Sequence, residues 1–185
     1  SQLQDNTFKF DAVVKFQLPF GNKILNIDRC TLRNRIVEYA LANQVYRINE
    51  NYWYDNRNKL FRTGSGVNEF VKNAKKNYES YSCFYLIDLK CAFKIDYLKL
   101  KSSFLIKNLS DAQISLIEEA LFKDNSFSEG LPLGHKLSNI LFDCSLINIE
   151  KYLSENNYNY LRFIDSFIFF TIDEKDVDKI DEIFN

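Results

Sequence analysis

The chain of 185 residues contains no methionine, one histidine, two prolines and five glycines. Each scarcity excludes something. So little glycine and proline rules out a collagen-like repeat and a turn-dense all-β sandwich. No apolar run approaches the roughly 18 residues that a membrane-spanning helix needs, so a soluble protein without membrane partners is expected. The four cysteines, Cys30, Cys83, Cys91 and Cys144, are scattered without a C-x-x-C pair, and His135 alone is available to complete a metal cage. Neither a disulfide framework nor a structural zinc site is expected. Unpaired cysteines and no signal peptide place the expected compartment in the cytoplasm. A translated chain normally begins with methionine, and Ser1-Gln2-Leu3-Gln4 has no charged-then-apolar signal design, so the reading is an internal fragment.

What is present is apolar and aromatic. Hydrophobic residues make up 46%, with 17 Phe, 11 Tyr and one Trp, enough to fill a core and to exclude disorder as the default. The net charge of −1 hides an asymmetry. Residues 1–90 hold 14 Lys or Arg against 9 Asp or Glu, and residues 91–185 hold 10 against 16. A basic half joined to an acidic half suits a protein that meets a polyanion on one face and gathers carboxylates around cations on another. The plain alternative is surface charge, since much of the acidic excess lies in 173–182 and reads as the solvated face of a terminal helix.

Alternation over 8–27, with a turn at Pro19-Phe20-Gly21-Asn22, predicts a β-hairpin. Leu32, Ile36, Val37, Ala40, Leu41 and Val45 recur at helical spacing after a start near 28–31, predicting a helix to about Ile48. Ser65 offers a cap for a second helix reaching about Tyr78. Cys83-Phe84-Tyr85-Leu86-Ile87 reads as a strand buried on both faces and ending at Asp88. Helices are predicted over 97–104 and 110–122, the latter capped by Ser110, and one long helix from Leu137 to Tyr152. Two strands, 158–164 and 167–172, meet at Asp165-Ser166, and an acidic helix closes the chain. The order is mixed α+β.

Asp88 and Asp165, 77 positions apart, each sit where an apolar strand stops. An unpaired carboxylate in a sheet core costs several kcal/mol, so such a residue sits at a strand end, in a pair, or on a metal. Two on neighbouring strands would repel, and a hard divalent cation removes that penalty. The alternative for either one is an ordinary strand-end Asp that starts a turn.

Five segments in order carry a resemblance. Phe84-Tyr85-Leu86-Ile87-Asp88, followed by Phe93, is similar to an apolar strand, a metal-binding Asp and an aromatic five residues later. Gly130-Leu131-Pro132-Leu133-Gly134 with Ser138 is similar to a Gly-Leu-Pro-Gln-Gly-x-x-x-Ser-Pro loop and helix. Tyr160-Leu161-Arg162-Phe163-Ile164-Asp165-Ser166-Phe167 is similar to a Tyr-x-Arg-Tyr-x-Asp-Asp-Phe hairpin. Upstream, Gly21-Asn22-Lys23 through Arg35-Ile36-Val37-Glu38, and Phe61-Arg62-Thr63-Gly64-Ser65, complete the set. Together they resemble the reverse transcriptases, and most closely the bacterial branch of group II intron, retron and phage-defence enzymes.

The resemblance implies an RNA-directed DNA polymerase, acting on dNTPs with an RNA template and a DNA or RNA primer. It implies a right-hand arrangement with a fingers-like region over 1–80 and a palm-like region over 81–185, the palm an antiparallel sheet backed by helices and the thumb absent. Asp88 and Asp165 would be catalytic ligands of two Mg²⁺ ions, with Mn²⁺ as a substitute, and the backbone carbonyl of Leu89 would complete that site. Phe93 would lie under the incoming sugar and favour deoxynucleotides; the alternative is a core aromatic. Gly130, Pro132 and Gly134 would let backbone approach the nascent base pair, Lys23 would reach the triphosphate, and Arg62 would hold template phosphate. Two departures stand out: Ser166 replaces the second Asp of the pair and weakens the cation field, and Leu133 replaces the Gln of the loop. They point to a divergent phage-defence enzyme, or to a scaffold that has lost templated synthesis. His135 reads as a polar helix-start residue rather than a catalyst.

Overall fold

In the computed structural model the described residues are 2, 3, 5, 7–49, 67–90, 92–103, 106, 108–171 and 176–184. They form seven α-helices and two small antiparallel sheets, an α+β fold. Arg62, the segment 61–65 and the expected cap Ser65 lie outside them. Chain contacts divide the molecule into two units, Ser1–Tyr52 with Cys91–Ile147 and Trp53–Lys90 with Asn148–Asn185. This partition by packing runs across the motif-based regions 1–80 and 81–185.

In the first unit, β1 (Val14–Phe20) pairs antiparallel with β2 (Lys23–Arg29), Phe20 opposite Lys23. The turn is therefore the two residues Gly21-Asn22, with Pro19 and Phe20 inside β1 rather than in the bend. Gly21 has φ +58°, which a first loop residue of a II′ turn requires and glycine adopts without strain. Phe8 and Phe10 are not in a strand; both are buried. Every residue of β1 is exposed, so the alternation there does not mark a half-buried face. Helix α1 (Leu32–Ile48) has the expected bounds because the Thr31 hydroxyl accepts from Asn34 N and satisfies one unpaired helix-start N–H. Its buried stripe, Val37, Leu41 and Val45, faces α4 (Asp111–Phe122) and α5 (Lys136–Ser145). Ser110 and Gln113 form a capping box at the start of α4. The short α3 (Tyr97–Ser102), capped by Asp96, packs against α5.

The second unit holds α2 (Val67–Ser80), β3 (Cys83–Asp88), α6 (Ile147–Glu155), β4 (Tyr160–Phe163), β5 (Ser166–Thr171) and α7 (Asp176–Phe184). The single helix expected from Leu137 to Tyr152 is instead α5 and α6, separated at Leu146. The strand order is β3-β5-β4. Strand β3 therefore lies at an edge, and its burial alternates, Phe84 and Leu86 being exposed. This corrects the expectation of a strand buried on both faces: a short apolar run does not reveal which strand of a sheet is central. The core face is filled by Tyr160, Phe167 and Phe169, with the Phe184 ring of α7 5.1 Å from that of Phe167. On the other face Phe70 of α2 meets Phe163, ring centroids 5.2 Å apart. Among the described residues no helix is long and apolar enough to cross a membrane.

Candidate functional site

The two carboxylates singled out by the sequence meet at one end of the three-stranded sheet. Asp88 is the last residue of β3 and pairs in register with Ser166, the first residue of β5. Asp165 precedes Ser166 in the two-residue turn that joins β4 to β5. The Ser166 hydroxyl donates to Asp88 Oδ1 at 2.8 Å, and Leu89 N donates to the Asp165 carbonyl at 3.0 Å. Asp88 is exposed and Asp165 half-buried. Partial burial, and the negative charge of Asp88, push the Asp165 carboxyl above its ordinary value, against a backbone hydrogen bond and the Arg162 guanidinium, which pull it down. Asp165 thus senses the charge of Asp88, and a hard cation between two such carboxylates would offset that repulsion.

The turn that carries Asp165 is strained and braced. Ile164 has φ +59°, a left-handed conformation that costs a β-branched residue on the order of 1–3 kcal/mol. Arg162 Nη1 donates to the Ile164 carbonyl at 2.7 Å, while its Nε donates to Glu150 Oε1 at 2.8 Å. Both side chains of the Arg162–Glu150 pair are buried. A charge inside the apolar run Leu161-Arg162-Phe163 was a signal that such a partner must exist; nothing in the sequence named Glu150, on α6.

The remaining candidates, apart from Arg62, lie in the first unit. Residues 130–134 are pinned on both sides: Leu131 N donates to the Phe93 carbonyl at 2.7 Å, and Asp28 N donates to the Leu133 carbonyl at 2.8 Å. Gly130 and Gly134 have φ of +86° and +101°. A side chain at Gly130 would collide with the Phe93 carbonyl, and one at Gly134 with the Asp28 carbonyl. The close approach both glycines serve in this structure is to the chain's own backbone. Phe93 is half-buried and stacks on Phe142, ring centroids 4.9 Å apart. Lys23 is exposed at the start of β2. Lys15 lines the recess beside Gly130 and Pro132, a cavity of about 570 Å³, and its Nζ donates to the Asp124 carbonyl and to Asn125 Oδ1.

His135 does stand at a helix start, as expected. The residue is the N-cap of α5, but its side chain makes no cap bond and is buried at 2% exposure. Nδ1 lies 3.0 Å from Glu38 Oε1 and 3.4 Å from Cys30 Sγ, and Nε2 lies 3.3 Å from Asp28 Oδ2. Burial pulls the imidazole pKa down, but the hydrogen bonds and charges of Cys30 and Glu38 outweigh it and raise it to about 10.

No protein-family model matches the chain, and no curated protein matches it.

Proposed function

We propose that the chain is a reverse-transcriptase-type polymerase domain, its α1 and β1–β2 part fingers-like and its β3-β5-β4 sheet palm-like. The observation that carries this reading is the register Asp88 opposite Ser166, which brings two acids from distant sequence positions to one sheet end, where burial and, beside it, the charge of Asp88 raise the Asp165 pKa. The donor chemistry fits hard cations: two carboxylates, with the Leu89 carbonyl by resemblance. Two Mg²⁺ ions held there would activate a primer 3′-hydroxyl and stabilise departing pyrophosphate. The Arg162–Glu150 brace keeps Asp165 aimed at the sheet end. On the same reading Lys23, Phe93, Gly130, Pro132 and Gly134 serve the nucleotide, Arg62 the template, and RNA, primer and dNTPs are the partners.

A second reading has its own support. Ser166 occupies Asp88 Oδ1 with a hydrogen bond where the family has another acid, which suits a scaffold that binds nucleic acid or a protein without templated copying. Mn²⁺ binding followed by electron paramagnetic resonance, alongside extension of an RNA-templated primer, separates the two. The polymerase reading expects ion binding by the chain, and dNTP incorporation that is weak without a thumb and efficient in a longer chain that carries one, both lost in Asp88→Asn and Asp165→Asn. Primer binding without ion binding or incorporation would favour the scaffold.

A further inference from the structure

We propose that Cys30, Glu38 and His135 form a zinc site that pins the end of β2 to α1 and to the start of α5. The three residues come from separate parts of the first unit, yet their ligand atoms all lie within 4.8 Å of one another. Around a tetrahedral zinc with bonds of about 2.3 Å to sulfur and about 2.0–2.2 Å to nitrogen and oxygen, neighbouring donors sit roughly 3.3–3.6 Å apart. The observed 3.4 Å from Cys30 Sγ to His135 Nδ1 and 3.0 Å from Nδ1 to Glu38 Oε1 are near those values, but Sγ also lies 3.9 Å from Nε2, so the thiol has to turn outward to meet an ion on Nδ1.

The surroundings of each donor suit ligation. His135 Nε2 faces Asp28 Oδ2 at 3.3 Å, so an N–H on Nε2 donated to Asp28 leaves the Nδ1 lone pair for the ion. Asp28 is itself held, accepting from Asn125 Nδ2 at 2.9 Å. Glu38 Oε2 accepts from Lys136 N at 3.2 Å, leaving Oε1 toward the cluster. Glu38 and His135 are buried, but Cys30 is partly exposed, and surface recesses reach the cluster past Gly134 from the Cys30 side and from the Glu38 side. An ion therefore has an entry path, and three protein ligands leave a fourth position for water.

A thiolate with an imidazole selects zinc over the hard cations suited to Asp88 and Asp165. The two sites are independent in chemistry.

The test is to strip the full, reduced chain with chelator and titrate it with Zn²⁺ and, separately, with Co²⁺ as a spectroscopic probe. One ion per chain is expected, with a thiolate-to-cobalt charge-transfer band and a higher unfolding midpoint in Zn²⁺. Cys30→Ser should abolish the band while far-UV circular dichroism is retained, and Asp28→Asn should keep the band but weaken binding roughly 10–100-fold. Asp165→Asn should leave zinc binding unchanged, which separates this site from the proposed polymerase centre. No band from the wild-type chain, or a band that survives Cys30→Ser, overturns the proposal.

Discussion

Ser166 donates its hydroxyl to the Asp88 carboxylate at 2.8 Å, directly across the β3–β5 pair. The bond ties the sheet edge together at the point where the two acids meet. It also occupies a lone pair that a cation would otherwise use. Removing it in Ser166→Ala should cost about 0.5 kcal/mol, the low end for a hydrogen bond because Asp88 is exposed. Ser166→Asp puts like charges directly opposite each other and should cost about 0.2–1 kcal/mol in chelator. If the sheet end holds Mg²⁺, that loss should close in saturating Mg²⁺. Urea unfolding with and without the ion measures it; an equal loss in both conditions counts against a cation at this position.

The Arg162–Glu150 pair should matter more to stability than any exposed ion pair in the chain. Both partners are buried, and removing one leaves an uncompensated buried charge, so Glu150→Gln should cost roughly 3–5 kcal/mol. Replacing both, as Glu150→Leu with Arg162→Met, should recover much of that, because the desolvation cost of both charges disappears together. Equilibrium unfolding of Glu150→Leu, Arg162→Met and their double closes the cycle. Additive losses would show that the pair is not coupled.

Ile164 offers a gain rather than a loss. Its φ of +59° suits asparagine, whose short polar side chain tolerates the left-handed region. Ile164→Asn should therefore stabilise the turn by about 1 kcal/mol, less whatever apolar contact the half-buried isoleucine gives up. Ile164→Val, equally β-branched, should give no gain. If both substitutions destabilise alike, side-chain packing rather than backbone strain dominates the turn that carries Asp165.

Local patterns were legible in the sequence, and pairings over long distances were not. The Thr31-capped helix, the capping box at Ser110 and the acids ending apolar strands each depend on a handful of neighbouring residues. The edge position of β3 depends on the order β3-β5-β4, which periodicity does not encode. The cluster at His135 joins residues separated by as many as 107 positions, from Asp28 to His135, and no spacing motif links them. Counting one histidine and unpaired cysteines could not reveal the carboxylate that α1 delivers beside His135. The turn was displaced by one residue from Asp165-Ser166 to Ile164-Asp165, because Ser166 is held in the ladder opposite both Asp88 and Phe163.

Two glycines with positive φ make a matched pair of substitutions. Gly21, in the hairpin turn, has nothing within 4 Å of where a Cβ would stand, whereas at Gly134 a Cβ would strike the Asp28 backbone carbonyl and crowd the Ile27 side chain. Gly21→Ala should cost only the backbone strain, about 1–2 kcal/mol. Gly134→Ala carries that strain and must also displace backbone at the end of β2, where Asp28 N bonds to the Leu133 carbonyl, so its cost should be larger by at least about 1 kcal/mol. Because Asp28 also faces His135, the same displacement should disturb the cluster and weaken cobalt binding, which Gly21→Ala should leave unchanged. Denaturation midpoints paired with cobalt titrations of the two variants check both parts; equal costs and equal cobalt affinities would mean that the approach of Gly134 to Asp28 does not shape this site.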